Sequence, residues 1–183
     1  AVRCVKLPDE TSYEAGAVMT DMIGTQYHTQ RRLGVSGTDT LAVFGIGPMG
    51  AAGVLIGKAR GARVIAVDVL DSRLEMARDL GADEVINSGE EDAVERLRGL
   101  TRGVGVDVAI DCSGVPPAQN AALDAARAMG SVAFVGESLA TEINPSDQMI
   151  RKLLNVIGAW YFPLGEFPEI ARFVVDNEVP VEK

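Results

Sequence analysis

Short apolar runs alternate along the chain with segments in which apolar residues recur at helical spacing. After residue 40 the runs predict six strands, at residues 41–44, 63–68, 84–86, 106–112, 131–135 and 155–162. Helical spacing predicts helices at 11–33, with an interruption near Gly24, and at 48–56, 71–80, 91–101, 117–129 and 166–177. Residues 1–8 alternate like one further strand. Because strands that alternate with helices form a parallel sheet covered on both faces, this pattern predicts an α/β fold.

A glycine-rich turn, GIGPMG, follows the run at 41–44, and a helical pattern begins directly after it. Gly45, Gly47 and Gly50 have the G-x-G-x-x-G spacing of a dinucleotide-binding turn. Gly45 would allow the tight turn, Gly47 would let a diphosphate approach the backbone, and Gly50 would let the helix pack close to the strand. The same spacing also occurs in ordinary turns between strands and helices, so the motif needs a second feature in support.

Asp68 provides that second feature, because it ends the next predicted strand. It follows the glycine turn at about the 20-residue spacing expected of the acid that binds a cofactor ribose. Together the two features predict a nucleotide site at the carboxyl ends of the strands. They also indicate that the fold is a doubly wound parallel six-stranded sheet of the Rossmann type.

The composition narrows the possible partners. A net charge of −9 disfavours a nucleic-acid or membrane-surface role, since both need basic patches. The uncharged stretch at 41–57 is rich in glycine and shorter than the ~20 apolar residues that a membrane span needs. Cys4 and Cys112 are the only cysteines and lie far apart, which favours a reducing, cytoplasmic location. The chain begins without a methionine, in the middle of a pattern, and we expect it to be a piece of a longer protein.

Several stretches occur in an order that resembles a known family. They are PDETSYEAGAVMTDMIGTQYHTQRRLGV, DTLAVFGIGPMG, GARVIAVDVLDSRLEMARDLGADEVIN, GVGVDVAIDCSG and SVAFVG. The chain resembles, over almost its whole length, the cofactor half of the zinc-dependent medium-chain dehydrogenase/reductase family, which includes alcohol, sorbitol and threonine dehydrogenases. The resemblance implies that residues 1–10 are the tail of a GroES-like catalytic domain. Residues 11–183 would then be an NAD-binding Rossmann domain with its entry helix.

The resemblance also implies which residues contact the cofactor. They are Gly45, Gly47, Pro48, Met49, Gly50, Asp68, Arg73, Cys112, Ser113, Gly114, Val135, Gly136, Glu137, Gly158, Ala159 and Trp160. Asp68 favours NAD over NADP, because a carboxylate accepts hydrogen bonds from ribose hydroxyls but repels a 2′-phosphate. Arg73 would flank the adenosine, or would instead be an exposed helix cation that pairs with a nearby acid. Cys112 is interpreted as a packed thiol rather than a reactive one.

The resemblance implies one zinc ligand in the full-length protein, Asp21, which lies seven residues before His28. The alternative is that Asp21 caps or solvates a helix. Thr25 would pack on the nicotinamide ring. His28, the only histidine, lies at a family position that is not a ligand, and we expect it to be structural. Because a catalytic zinc needs about three protein ligands, we do not expect this chain alone to bind the metal.

The expected function is therefore hydride transfer between an alcohol or polyol substrate and NAD in the full-length enzyme. The 183 residues alone would hold NAD weakly without turnover. Two alternatives remain open, a zinc-free NADPH-dependent quinone or enoyl reductase and a non-catalytic NAD-sensing module. The motifs are shared by relatives that use different alcohols, so they do not indicate which substrate is used.

An apolar strand late in the sheet, near residues 155–162, suggests self-association, because an unprotected edge strand invites pairing with another chain. Relatives join the equivalent strands into one continuous sheet. We therefore expect a homodimer or homotetramer, unless the strand is covered or lies inside the sheet.

Overall fold

The computed structural model describes residues 4–182, and its strands form one parallel sheet in the order β3-β2-β1-β4-β5-β6. The strands are β1 (Thr40–Phe44), β2 (Arg63–Asp68), β3 (Glu84–Asn87), β4 (Val106–Asp111), β5 (Ala126–Phe134) and β6 (Asn155–Gly158). This order is that of the dinucleotide-binding Rossmann fold, and it confirms the predicted doubly wound six-stranded sheet.

Helices cover both faces of the sheet. They are α1 (Tyr13–Val18), α2 (Gly24–Leu33), α3 (Pro48–Ala59), α4 (Asp71–Asp79), α5 (Ala93–Leu100), α6 (Pro116–Ala125) and α7 (Phe167–Asp176). A π-helical turn, Met19–Ile23, joins α1 to α2, a second such turn covers Pro145–Ile150, and a 3-10 turn, Leu164–Glu166, precedes α7. Across residues 4–182, every helix is too short or too polar to cross a membrane.

Alternate side chains of each central strand enter two separate hydrophobic cores. In β1, Leu41 and Val43 pack with α2, α3 and α7, whereas Ala42 and Phe44 pack with α5 and α6 on the opposite face. All four side chains are at most 2% exposed. Successive residues of a strand point to opposite faces, so an almost continuous apolar run is the sequence signature of a strand buried on both sides.

The strand order reverses beside β1, which lies between β2 and β4. Loops that leave the carboxyl ends of these neighbouring strands diverge and leave a crevice between them. In open α/β sheets, ligands bind in the crevice at this point. The glycine turn follows β1, so the fold places it at the crevice.

One predicted strand near the start of the chain is wrong. Residues 4–8 form no regular structure, and no strand within the described range pairs with them; residues 1–3 of that predicted strand lie outside the described residues. The domain division at residue 10 stays a prediction. The helix predicted at 11–33 is present as α1 and α2, and its predicted interruption near Gly24 is the π-helical turn Met19–Ile23, directly before Gly24.

The helix predicted at 117–129 ends earlier than expected, at Ala125. Ala126 is extended and pairs with Val106 of β4, and Arg127 Nε donates to Asp107 Oδ1 at 2.6 Å. These contacts across the sheet begin β5 within an alanine-rich stretch whose intrinsic preference is helical. Tertiary pairing thus overrides the local preference.

The strand predicted at 155–162 is also shorter than expected, because β6 ends at Gly158. Beyond it the chain turns at Tyr161, which has a positive φ of 59°. The turn brings the Phe162 ring to 6.4 Å from the Phe167 ring, measured between centroids. Phe162 therefore packs against helices, and the chain leaves the sheet after Gly158.

Candidate functional site

A cleft of about 770 Å³ opens at the carboxyl ends of β1, β2 and β4, between the first turns of α5 and α6. Six of the residues predicted to contact a cofactor line it: Gly45, Gly47, Asp68, Arg73, Cys112 and Ser113. These residues come from three separate loops, which the strand order β2-β1-β4 brings together. The size and the position at the switch point are those of a small-molecule site.

The glycine turn has the geometry of a phosphate cradle. Gly45 has a left-handed backbone with φ +83°, and a Cβ there would lie 2.7 Å from Ser113 Cβ. A Cβ on Gly50 would lie 2.0 Å from the Gly45 carbonyl oxygen, so α3 approaches the turn as closely as backbone permits. Gly47 differs from both, because, apart from Gly47 and its two chain neighbours, no described residue has an atom within 4 Å of the position its Cβ would occupy.

The open space beside Gly47 lies at the start of a helix. Gly47 is the N-cap residue of α3, Pro48 and Met49 form the first helical positions, and Gly47 lines the cleft. The first N–H groups of a helix lack partners within it, and the helix dipole favours negative charge there. A diphosphate therefore fits this end of the cleft both sterically and electrostatically.

Asp68 ties the end of β2 to the glycine turn. One carboxylate oxygen accepts hydrogen bonds from the backbone N–H groups of Val69 (2.8 Å) and Leu70 (3.0 Å). The other accepts one from Ile46 N–H at 2.6 Å, and Arg73 Nη1 lies 3.5 Å from it. The Asp68 residue is only 5% exposed, yet it lines the cleft, so the carboxylate is held rigidly with one oxygen toward the ligand space.

Arg73 thus pairs with a nearby acid and lines the cleft at the same time. Among the described residues that line the cleft it is the only cation, whereas the lining contains four carboxylates: Asp68, Glu91, Asp92 and Asp124. The side chains that line the cleft therefore carry a net negative charge. A second phosphate near Asp68 would experience that negative charge in a partly buried setting, where screening by solvent is reduced.

The loop after β4 holds a packed thiol. Gln26 Nε2 of α2 donates to Cys112 Sγ at 3.2 Å. Burial, together with the neighbouring Asp111 carboxylate, raises the pKa of the Cys112 thiol far above its usual value, despite this hydrogen bond. A thiol in such a setting is a poor nucleophile, because reactivity requires the thiolate.

The residues predicted after β5 and β6 lie outside the lining of this cleft. Gly136 and Glu137 contact the loop after β4, since a Cβ on Gly114 would lie 2.2 Å from the Glu137 carbonyl oxygen. Val135 N–H and Gly136 N–H both donate to the Asp111 carbonyl oxygen. The structure therefore brings the segments 112–114 and 135–137 into direct contact.

The segment after β6 lies at the edge of the sheet. The Gly158 carbonyl oxygen accepts a hydrogen bond from Arg32 Nη1 at 2.9 Å, and Ala159 N–H donates to Phe134 O. Ala159 is buried, but Trp160 is 77% exposed. Trp160 therefore presents a large apolar surface beside the open edge of β6.

Residues of α2 and the turn before it carry the remaining predicted positions. Thr25 is 2% exposed, and its hydroxyl has no hydrogen-bond partner among the described residues. Asp21 is exposed in the π-helical turn, which is a feature frequently found at functional sites. His28 Nδ1 lies 2.8 Å from Glu166 Oε2, so this imidazole links α2 to the segment before α7.

No three His, Cys, Asp or Glu side chains within residues 4–182 are grouped so that they could hold a metal ion. A zinc centre needs about three protein ligands. Whether Asp21, which is exposed, contributes one of them in a longer protein stays a prediction.

Sequence reasoning missed three residues of this region. Asp111, at the end of β4, is fully buried and binds the following loop. Val69 and Val115 line the cleft and are 60% and 50% exposed. The signals were present, because an acid that ends an apolar strand and an apolar residue just beyond a strand end are both unusual positions.

Comparisons with known proteins agree with this geometry. Residues 48–176 match the family described as zinc-binding dehydrogenase. The chain is 36% identical over 174 residues to an uncharacterized zinc-type alcohol dehydrogenase-like protein of Escherichia coli K12, covering 94% of this chain and 49% of that protein. It is 35% identical over 184 residues to an L-idonate 5-dehydrogenase of Vitis vinifera, covering 98% and 50%.

A solved structure shows the same architecture. An alcohol dehydrogenase from Thermus sp. ATN1 superimposes with a TM-score of 0.89 at 27% identity, covering 97% of this chain and 52% of that chain. The chain thus spans about half the length of the curated relatives it matches.

Proposed function

Because the chain belongs to the family of zinc-binding dehydrogenases, we propose that it is the cofactor-binding part of an NAD-dependent dehydrogenase that acts on alcohols or polyols. The observation that carries the proposal is the open backbone at Gly47 beside the rigid Asp68 carboxylate. The two relatives described above are a zinc-type alcohol dehydrogenase-like protein and an L-idonate 5-dehydrogenase by name, which supports the reaction class. In a protein of their length, catalysis would also use residues of the other half.

The cleft would hold the diphosphate, the adenosine ribose and the adenine ring in three separate places. The N-terminus of α3 at Gly47 would hold the diphosphate. Asp68 would accept hydrogen bonds from the adenosine ribose through the oxygen that also faces Arg73. Val69 and Val115 follow strands on the two sides of β1, and their exposed side chains would hold the adenine ring between them.

The electrostatics of the cleft support NAD rather than NADP. A 2′-phosphate would lie near the Asp68 carboxylate and the three other acids of the lining, with Arg73 as the counterion. Val69, directly after Asp68, supplies no compensating positive charge. We therefore propose that NADPH binds more weakly than NADH, which also separates this function from that of an NADPH-dependent reductase.

The nicotinamide, when bound, accepts or donates the hydride. The segments 135–137 and 158–160 would border its carboxamide, and the buried Thr25 hydroxyl, which has no partner within residues 4–182, would pack against the ring. We further propose that Asp21 contributes one ligand to a catalytic zinc whose other ligands come from the other half of the full-length protein. The free thiols of Cys4 and Cys112 are consistent with a cytoplasmic location.

Self-association through β6 is also proposed. β6 is the last strand of the sheet, and its outer edge faces no other strand within the described residues. Trp160, Tyr161 and Leu164 are exposed close to that edge. Pairing of two copies of β6 would bury this surface and continue the sheet into a homodimer.

Substitution of Gly47 by alanine tests the proposal, because it separates binding from folding. Apart from its chain neighbours, the new Cβ meets no described residue within 4 Å, and the backbone is extended. Because alanine is a poorer N-cap residue than glycine, the unfolding free energy should fall by no more than about 1 kcal/mol. The same methyl group would occupy the diphosphate space, so NADH affinity should fall at least about tenfold. NADH fluorescence titration and urea unfolding measure the two effects.

Gly99→Ala is the matched control, since Gly99 lies in α5 with equally open space around it and does not line the cleft. It should leave NADH binding unchanged. Equal NADH affinity in Gly47→Ala and the unmodified chain would refute the nucleotide site. Tighter binding of NADPH than of NADH would refute the assignment of NAD.

A further inference from the structure

Asp111 is a buried carboxylate that receives hydrogen bonds from the loop that follows it. It is 0% exposed. Its Oδ1 accepts from Ser113 N–H at 3.0 Å and from the Ser113 hydroxyl at 2.6 Å, and its Oδ2 accepts from Gly114 N–H at 3.1 Å. Three donors within three residues thus close the loop tightly around one side chain.

No cation pairs with this carboxylate among the ion pairs of the described residues. A buried charge is costly unless hydrogen bonds compensate it, and here backbone and hydroxyl dipoles of a single loop do so. A neutral apolar side chain would fill the same place in a strand core at lower cost. Packing alone therefore does not explain the Asp111 carboxylate. Its hydrogen bonds instead hold the loop that contains Ser113 and Gly114 in one conformation.

That loop lies between two segments, the glycine turn, which lines the cleft, and the segment after β5, which lies just outside the lining; these segments are the two walls of the proposed dinucleotide site. On one side, a Cβ on Gly45 would lie 2.7 Å from Ser113 Cβ, so Ser113 lies against the glycine turn. On the other side, a Cβ on Gly136 would lie 2.1 Å from Gly114 N, so the loop also lies against the segment after β5. A displacement of the loop would change the distance between the two walls.

The main chain of Asp111 strengthens this arrangement. Its carbonyl oxygen accepts hydrogen bonds from Val135 N–H at 2.9 Å and Gly136 N–H at 3.0 Å. One residue therefore contacts the loop after its own strand through the side chain and the loop after β5 through the backbone. The loops that follow β4 and β5 thus meet at Asp111, and Ser113 connects them to the glycine turn after β1.

We propose that Asp111 is a positioning residue, which sets the spacing between the glycine turn and the 135–137 segment by holding Ser113 and Gly114 in place. This inference rests on the proposed function, because the two walls are those between which a dinucleotide would extend. A ligand that spans both walls, such as NADH, depends on their spacing. A ligand that occupies only the adenosine end, such as AMP, depends on it much less.

Asp111→Asn gives a direct test. The asparagine keeps one carbonyl acceptor, but its NH₂ group must face either Ser113 or Gly114, where two donors would then oppose each other. NADH should bind at least about tenfold more weakly, whereas AMP affinity should fall less than about threefold. The amide proton resonance of Gly114 or of Ser113 should also move in the NMR spectrum, which reports the lost hydrogen bond without any ligand.

Asp107→Asn is the matched control. Asp107 lies at the amino end of the same strand, and its carboxylate accepts from Thr40 N–H and Arg127 Nε, away from the cleft. Its replacement should lower stability while NADH and AMP affinities stay unchanged. If Asp107→Asn weakened NADH binding as much as Asp111→Asn does, the effect would be general destabilisation and the proposal would be overturned.

The remaining outcomes are also decisive. Equal NADH affinity in Asp111→Asn and the unmodified chain overturns the positioning role while leaving the proposed function intact. Absence of NADH binding by the unmodified chain removes the proposed function and this inference with it. If Asp111→Asn does not fold, Ser113→Ala takes its place; removing one donor should weaken NADH binding about threefold with AMP unaffected, and no change would overturn the proposal.

Discussion

At the carboxyl end of β2, the Asp68 side chain is buried and accepts hydrogen bonds from three backbone N–H groups. At the carboxyl end of β6, Trp160 is 77% exposed, and, apart from Gly158 and its chain neighbours, no described residue has an atom within 4 Å of the Cβ position of Gly158. The conformation at the end of β2 is fixed by close contacts within the chain. The end of β6 instead exposes apolar side chains to solvent.

This difference indicates which half of the proposed cofactor site the chain builds by itself. The end proposed for the adenosine and the diphosphate is formed by backbone groups of adjoining loops, so its geometry follows directly from the fold. The β6 end offers apolar area and an open strand edge, which become a defined site only when something covers them. Substitutions at the two ends should therefore have opposite profiles, with large effects on folding and binding at one and effects on association at the other.

The largest contrast is expected from one substitution made at both ends. In Gly50→Ala the new Cβ would lie 2.0 Å from the Gly45 carbonyl oxygen, and since that atom is backbone, the turn must shift. We expect a loss of about 2–4 kcal/mol in the unfolding free energy and loss of NADH binding. Gly158→Ala should change the unfolding free energy by less than about 0.5 kcal/mol. Urea denaturation of both variants makes the comparison, and similar losses would contradict it.

Asp68→Asn should have the next largest effect. The NH₂ group would face one of the three backbone donors, at a cost of about 1–3 kcal/mol in stability. Removal of the negative charge should also weaken NADH binding about tenfold to a hundredfold while reducing discrimination against NADPH. Titration with both nucleotides measures the ratio of the affinities. If the ratio of NADH to NADPH affinity did not change, Asp68 would not be the residue that distinguishes the two riboses.

Sequence reasoning placed the glycine turn and Asp68 at one cleft, as the structure does, because their signals are local. The spacing of Gly45, Gly47 and Gly50 follows from a turn that must avoid its own backbone, and Asp68 ends a strand next to that turn in the sheet. Asp111 also carries a local signal, an acid that ends an apolar strand, but its contacts with the loop after β5 are not encoded by spacing along the chain.

The residues at which α6 and β6 end were predicted less well, for a related reason. The end of α6 depends on the ion pair between Arg127 and Asp107, which are 20 residues apart. The end of β6 depends on a turn at Tyr161 that lets Phe162 pack against helices. In both cases the local sequence permits the longer element, and a contact made across the fold ends it.

Association should respond to changes at the β6 end only. We expect sedimentation to show a dimer at high protein concentration, and Trp160→Ser to weaken it by about 1–3 kcal/mol, since exposed aromatic residues dominate such interfaces. Trp160 is the only tryptophan, so its emission should shift to shorter wavelength as the dimer forms. Tyr13→Ser, at a site that is 88% exposed elsewhere, is the control and should leave association unchanged. A monomer at all concentrations would contradict a β6 interface.

The smallest expected effect is a change in stability caused by a contact between α2 and α7. Tyr27 Oη and Arg31 Nη1 of α2 donate to the Glu169 carboxylate of α7 at 2.7 and 2.6 Å. The hydrogen bond from Tyr27, assisted by the charge of Arg31, lowers the pKa of Glu169 below its usual 4.5, against the opposing effect of burial. A carboxyl group with a lowered pKa in the folded state stabilises that state above its unfolded pKa, and this contribution disappears as the pH falls through the folded value.

Glu169→Gln should therefore lower the unfolding free energy at pH 7, and the difference from the unmodified chain should shrink progressively as the pH falls below 4.5. The effect should be small, because both partners of the Arg31–Glu169 pair are about half exposed and solvent screens their charges. Asp176→Asn is the control, since that carboxylate pairs with Arg172 inside α7 and does not reach α2. Urea unfolding over a pH series measures both variants. A difference for Glu169→Gln that persists unchanged into acid would show that α2 and α7 are joined by packing, as at the glycine turn, and not by this surface contact.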